Sequence, residues 1–545
     1  MSQHTASSSR MTECGAEIDH SKTFETSLAE IRRWIRALPL TDQRATIRKT
    51  TRALQSLNRC ELSIEARTHA LALFTPLINT LLKRVAHHCA KSQQPFTPQR
   101  RAHFNSVQVM LKEITRGYQI IVRESPLPSP LQSQAGSTRH NARRIPVGSA
   151  THHLCNALYQ AIEHLAQRLL HSYLRYTTRP AAVWSEIHRL YYIAETYNIP
   201  ATPFHLGFGH NQPQKPVSIE HAYKRILLFS LADPYHLMPD EMSRAYQSLR
   251  SWASQCKVIR SDSPEKLQGR FYIDLESDLP PTHHTLNQHD LELPSLRLLD
   301  ITEILPSEKY QRALDRRLAH ALIVRPERLT KRSEKQGTVM LANGLSACHH
   351  YIGNENQGHA PHSENSTATL LEHPNPIEVK IASRNHHHIT FSAQQKNASL
   401  GGLALHHHNL RQHLPTGALV TYRLAEGAAR NSWHVGTVKW SCHDLKKGHE
   451  LGIKCLAEDG AAVVTRAMRA EGEQTAPYQP ALLTPNINPH THPTTLITPM
   501  NQYCVGDSLQ IHAEQSLFHV ELIQLIETTW AYAHYRYRII ASSAH

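Results

Sequence analysis

A chain of 545 residues, at about 150 residues per domain, is too long for a single domain and has room for two to four. With 59 Lys and Arg against 45 Asp and Glu, its formal charge of +14 and pI near 9.3 favour an anionic partner through long-range attraction. Hydrophobic content of 40% fits globular structure, no run approaches the 18 or more apolar residues of a membrane span, and nine scattered cysteines without a Cys-x-x-Cys pair argue against a disulfide framework or a zinc ribbon.

The opening MSQHTASSSRMTEC has no apolar core of the kind a signal peptide needs, so residues 1–23 are expected to be a disordered tail and the protein cytoplasmic. From 24 to 256 helical periodicity dominates. Leu28, Ile31, Ile35 and Leu38 fall at 3- and 4-residue spacings, and Leu73, Leu77, Leu81 and Val85 recur every fourth residue. Further helices are expected over 98–123, 151–176, 181–197, 218–232 and 239–255, with a Pro-, Ser- and Gly-rich linker at about 125–148. No fixed-period repeat is visible, so the region reads as an antiparallel helical array serving as an interaction domain. Tyr176, Trp184, Tyr191, Tyr192 and Tyr197 are expected in its core. At 257 the period changes: Lys257 to Arg260 and Gly269 to Leu275 suggest a strand pair, and Ser295 to Arg317 a return to helix, making 257–324 a connector.

Beyond the connector, Arg328-Leu329-Thr330-Lys331-Arg332 spaces two arginines four apart ahead of an apolar segment, Val339 to Ala347. A polar stretch, Gly353 to Pro376, reads as a surface loop. The run Asn397-Ala398-Ser399-Leu400-Gly401-Gly402 then feeds an alternating strand through Leu403 and Leu405. Two glycines without Cβ allow positive φ and close approach of a large anion or base, and Asn397 and Ser399 offer short donors and acceptors. Strand-like runs follow at Gly417 to Arg423, Trp433 to Trp440 and Glu450 to Leu456.

Over roughly 325–470 these features resemble the PilZ domain, the bacterial receptor for cyclic di-GMP. Its Asn/Asp-x-Ser-x-x-Gly signature is matched by Asn397, Ser399 and Gly402, its Arg-x-x-x-Arg by Arg328 and Arg332, and its later Leu-Gly-apolar triplet by Leu451, Gly452 and Ile453. The resemblance implies a β-barrel in which Arg328 and Arg332 grip phosphate and guanine edges against the 397–402 turn, because a guanidinium fork can bind either bidentately. One spacing departs from the pattern: Arg332 and Asn397 lie 397 − 332 = 65 residues apart. The loop at 353–376 accounts for the extra length at small entropic cost. Alternatively Ile377 to Ala382 is the first strand, and then no arginine pair stands immediately before it.

Residues 471–545, with strand-like runs at Leu496 to Thr498, Ser508 to His512 and Phe518 to Arg538 and a Pro/His-rich stretch from Pro477 to Pro493, are expected to be a small β-rich extension. The fold class is thus α+β multidomain: a helical array, a PilZ-like antiparallel barrel, and that extension. Forty-one histidines include triplets at His386 to His388 and His406 to His408, but alternation along a strand points neighbours to opposite faces, so no metal is expected. Gly207-Phe208-Gly209 lacks a strand-to-helix context, Glu303-Ile304-Leu305 stands alone, and no phosphate-binding loop, Gly-x-Ser-x-Gly or His-Glu-x-x-His occurs, so an enzyme is not expected. The resemblance implies a receptor for cyclic di-GMP that couples to an unidentified protein effector through the helical domain, in motility, biofilm or exopolysaccharide control. Two rivals stand beside it. One is a degenerate barrel acting as a scaffold without nucleotide; the other, binding of DNA or RNA, is not expected, since no basic stretch interleaved with aromatics supports it.

Overall fold

Asp, Thr and Ser side chains cap the N-termini of four helices of the first domain. α1 (Leu28–Arg36) is followed by α2 (Gln43–Arg59), whose N-cap Asp42 accepts from Ala45 N. α3 (Ile64–Lys91) precedes α4 (Pro98–Glu124), capped by Thr97 with proline in the first turn. Ser149 caps α5 (Ala150–Tyr173), α6 (Val183–Thr196) follows, Ser218 caps α7 (Ile219–Leu231), and α8 (Pro239–Trp252) ends the array. The computed structural model describes residues 27–91, 97–126, 149–206, 215–260, 271–282, 294–304, 312–323, 333–334, 337–356, 389–399, 401–408, 414–425, 432–444, 447–468, 477–484, 495–513 and 516–544. The expected tail, most of the 125–148 linker and Gly207 to Gly209 lie outside them.

α5 is the axle of this domain. It is buried on nearly every face and packs against α3, α4, α6, α7 and α8. Of the five expected core aromatics, Tyr176, Trp184 and Tyr191 are buried and Tyr197 is partly so, but Tyr192 is 49% exposed, on the solvent face of α6.

The connector differs from its sequence pattern. β1 (Lys257–Arg260) and β2 (Phe271–Asp274) do not pair with each other; β3 (Leu296–Asp300), within a stretch expected to be helical, lies between them in the order β1-β3-β2. Leu296, Leu298 and Leu299 suit a helical stripe as well as a strand buried on both sides, and pairing on both edges decides for the strand. Arg297 of β3 is fully buried and its fork meets Glu195 of α6 at 2.5 to 3.2 Å. α9 (Ala313–Ile323) brings Arg317 onto Glu241 with two bonds of 2.7 Å. Phe271, Leu299, Ile304, Leu318 and Leu322 join the helical core, so the connector is part of that domain's interior.

Two β-domains follow. The first contains β4 (Ser333–Glu334), β5 (Thr338–Asn343), α10 (Leu345–Asn356), β6 (Phe391–Ser399), β7 (Gly402–His407), β8 (Leu419–Leu424), β9 (His434–Asp444) and β10 (Gly448–Ala457). Its sheet runs β4-β6-β5-β8-β9-β10-β7, and a further pairing of β6 with β7 closes six of these strands into a ring. α10 occupies the end of the apolar segment and the start of what reads as a loop. The rest of that stretch, with Ile377 to Ala382 and His386 to His388, lies outside the described residues.

The second β-domain consists of β11 (Ala461–Ala467), β12 (Gln479–Thr484), β13 (Thr495–Thr498), β14 (Ser508–Ala513), β15 (Ser516–Thr528) and β16 (Ala533–Ala544), closed in the order β11-β12-β13-β16-β15-β14. The expected extension is therefore a complete six-stranded barrel. It begins with β11, ahead of the boundary at 470, because β11 pairs with β12 and β14 rather than with the preceding sheet. The Pro/His-rich stretch contains β12, where Pro480 stands opposite Val464. A shared core holds the two β-domains together: Leu345, Cys348 and Ile352 of α10 pack with Leu419, Trp433 and Val435 on one side and Leu482, Ile497 and Tyr532 on the other.

Candidate functional site

β4 and β5 follow one another along the same edge of β6. Ser333 stands opposite Ala398 and Glu334 opposite Asn397; after a one-residue shift of register, Thr338 pairs with Gln394 and the ladder continues to Leu341 opposite Phe391. Gln395 N donates to Gly337 O at 2.8 Å in between. The stretch from β5 to β6 is thus the closed end of a long hairpin. Ser333 and Ser399 mark its open end, and no insertion at the closed end alters which residues meet there.

Three irregularities shape that open end. A register slip between Gln395 and Asn397 against β7 makes Lys396 the extra residue of a bulge, a device that re-aims nearby side chains. Ser399 and Gly402 close a tight turn to β7, and Ser399 Oγ donates to Gly402 O at 3.3 Å. Asn397 Oδ1 is buried and has no hydrogen-bond partner among the described residues, which leaves a desolvated acceptor at a cost of about 1–3 kcal/mol.

The two turn glycines have different reasons. A Cβ on Gly402 would run into the carbonyl oxygen of Ile453, so its bare face is taken by the backbone of β10. A Cβ on Gly401 would meet none of the described residues within 4 Å, while the Gly401 carbonyl accepts from Cys455 N at 3.0 Å. The open approach expected of both glycines therefore exists at Gly401.

β10 also adds a cation that the sequence motifs pass over. Lys454, exposed, is the partner of Gly402 in the ladder; its signal in the sequence is its place directly after the Leu451-Gly452-Ile453 triplet. Lys396 is tied to Glu450 at 2.5 Å. Asn397, Ser399 and Gly402 are thus brought together with Lys454. Arg328 and Arg332 lie outside the described residues, and Arg332 is the chain neighbour of Ser333.

The rim is linked to both neighbouring domains. Burial opposes ionisation of Glu527 on β15, but Lys439, at 2.5 Å, together with Lys454 and the Tyr532 hydroxyl outweighs it and holds that carboxyl below its ordinary range. At the far end of β10, five residues and roughly 17 Å along the strand, lies the contact with the helical domain. There His443 N donates to Tyr176 O at 2.5 Å and Thr178 N donates to His443 O at 3.0 Å. Thr416 Oγ1 donates to Tyr235 O and Trp530 Nε1 donates to Thr416 O, each at 2.8 Å, so all three domains meet at Thr416.

Residues 29–263 match the family model described as the N-terminal domain of the cyclic-di-GMP receptor FimW, and residues 463–540 match that of the FimW C-terminal beta-barrel domain. Both ends of the chain are FimW-like. A Pseudomonas aeruginosa protein named cyclic-di-GMP receptor FimW is 22% identical over 573 residues, with 93% of this chain and 90% of that protein covered. The first FimW match takes in α1 through β1, and the second corresponds to the barrel of β11 to β16. The open hairpin end at 333 and 397–402 lies between the two FimW-matched ranges.

Proposed function

We propose that this chain is a cyclic di-GMP receptor without catalytic activity, binding its ligand at the open hairpin end of the first β-domain through Arg328, Arg332, Asn397, Ser399 and Gly402, in the manner of a PilZ barrel. The observation that carries this reading is the pairing of Ser333 with Ala398 and Glu334 with Asn397. In sequence Arg332 directly precedes Ser333, about 3.8 Å away from Cα to Cα, and β4 in turn pairs with the strand that carries Asn397, whatever the 65-residue sequence separation (397 − 332) suggests. The name of the P. aeruginosa relative and the two FimW matches point to the same ligand.

The chemistry fits the residues. The arginines neutralise phosphate and reach guanine O6 and N7, the unpartnered Asn397 carbonyl accepts from a guanine or guanidinium N–H, and the open face of Gly401 lets a flat base lie against the backbone. Gly402 acts by holding the turn against β10. The signal passes along β9 and β10 to the Tyr176–His443 contact, and from there to a protein effector of the helical domain in the cytoplasm, in motility, biofilm or exopolysaccharide control. The ligand can move that contact only by as much as it prefers one arrangement over the other.

Titration calorimetry of the full chain with cyclic di-GMP tests the reading. Binding is expected, and Arg332→Ala should weaken it roughly tenfold to a hundredfold, the loss of a bidentate charge-assisted contact. A chain that takes up no cyclic di-GMP, or one whose affinity ignores Arg332→Ala, overturns it.

A further inference from the structure

The N-termini of α2 and α4 open on one cleft of about 820 Å³ in the helical domain, lined by Arg44, Arg100, Arg175, His88 and His103, with Asp42 as the acidic residue among them. Asp42 is already engaged, since its Oδ1 accepts from Ala45 N at 2.9 Å as the N-cap of α2. Both helices are long, 17 and 27 residues, and each turns the positive end of its dipole towards the cleft.

A second observation points to a ligand independently of the helix ends. Arg175 is 8% exposed, lines the cleft, and its Nε has no hydrogen-bond partner among the described residues. Neither Arg44 nor Arg175 makes an ion pair with a described carboxylate. The cations also act on one another: burial and then Arg175 hold Arg100 below its ordinary value, and burial, Arg44 and Arg175 do the same to His103. Such a cluster is stabilised by an anion that several guanidiniums share.

We propose that this cleft is a second binding site, separate from the barrel rim, for a small phosphorylated compound carrying at least two phosphate charges. A single phosphate would leave most of the volume unused, which lies in the range of sites for whole small molecules. The lining is polar and cationic, so charge rather than apolar burial selects the ligand. Its position gives it a readout: Arg175 is followed by Tyr176, whose backbone φ of 51° is left-handed and whose carbonyl receives the His443 N–H of the first β-domain. A ligand on Arg175 therefore acts one residue from the interdomain contact.

Calorimetry and thermal melting of the full chain with pyrophosphate, guanosine diphosphate and cyclic di-GMP test the site. Pyrophosphate or guanosine diphosphate is expected to bind and raise Tm, with an affinity at least about tenfold weaker in Arg44→Gln/Arg100→Gln. Gln99→Glu, an exposed change at the cleft mouth, should weaken the same binding without touching the packing. Cyclic di-GMP at a stoichiometry of two, falling to one in the double variant, would identify the dinucleotide as the occupant; a stoichiometry of one, with guanosine diphosphate bound at the cleft, would identify a different phosphate compound. The proposal is overturned if none of the three ligands binds in a way that responds to the double variant or to Gln99→Glu. That result would leave the barrel site untouched, since the barrel site is read by Arg332→Ala.

Discussion

The two β-domains share a plan, six antiparallel strands closed into a ring, and differ in how they use polar groups. In the second barrel one polar cluster closes on itself: Thr484 and Thr495 share a hydrogen bond of 2.7 Å, His534 meets Thr495 at 2.7 Å, and the Tyr503 hydroxyl lies 3.1 Å from Thr465, while Arg536 Nε is buried without a described partner. In the first, Asn397 Oδ1 is left buried without a described partner, beside a bulge and a glycine turn at one rim. A closed network stabilises and specifies a core, whereas an uncompensated acceptor costs stability and is retained where something else supplies the donor. Under the proposed reading, recognition falls to the rim of the first barrel and the second is structural.

The strongest way to break that assignment is at the two glycines. Gly402→Ala forces a Cβ into the Ile453 carbonyl, and because the obstacle is backbone of a paired strand it should cost about 3 kcal/mol and lower the Tm of the first β-domain. Gly401→Ala meets no described residue and should stay within about 0.5 kcal/mol, while weakening cyclic di-GMP by crowding the approach. Equal melting temperatures for the two variants would remove the distinction between a packing glycine and an access glycine.

Acid should act next most strongly, through the second barrel. Burial pushes the His534 imidazole down to about 4, with Glu527 pulling up and Lys454 pushing down. Its neutral form is built into the folded state, so the stability it contributes is complete above the unfolded value near 6.5, falls as pH drops from there to about 4, and levels off below. The loss should reach about 2–3 kcal/mol at pH 4.5 by denaturant titration, and His534→Gln should flatten that slope by one proton. Glu527, held low, adds its own loss at the acid end of the window. Thr495→Val, which strips the partner from both Thr484 and His534, should cost about 1–3 kcal/mol at neutral pH and leave ligand affinity unchanged.

Much of this was legible in the sequence, and the gaps have physical causes. Helix stripes such as Leu73, Leu77, Leu81 and Val85 are local and read directly. β3 reads as helix in sequence because its leucines suit either period and only pairing with β1 and β2 decides. Leu345, Cys348 and Ile352 carry the spacing of α10, but Gly353 and the polar run behind it conceal the helix. Pro480 disguises β12; it stands near the strand's start, before the residues that pair with β13, where a missing N–H is tolerated. The Asn397, Ser399, Gly402 cluster is local in sequence; the strand that brings Ser333 against Ala398 is not, because register across an inserted hairpin is a long-range outcome. Arg44, Arg100 and Arg175 are three of 59 basic residues and meet only through the packing of α2, α4 and the end of α5.

Asn397→Leu separates the two β-domains most finely. A polar group inside a satisfied network stabilises its fold, and its loss leaves partners exposed to the same penalty; Thr495 is of that kind. Asn397 Oδ1 has no described partner to abandon, so replacing the side chain by an apolar one of similar size removes a desolvation penalty. The variant should melt at the wild-type temperature or a few degrees above it. It should also bind cyclic di-GMP on the order of tenfold more weakly, since a donor of the ligand or of an arginine loses its acceptor. Stability and affinity then move in opposite directions, which a purely structural asparagine would not do: a fall in Tm with unchanged affinity would place Asn397 in the fold alongside Thr495 and leave the rim without its acceptor.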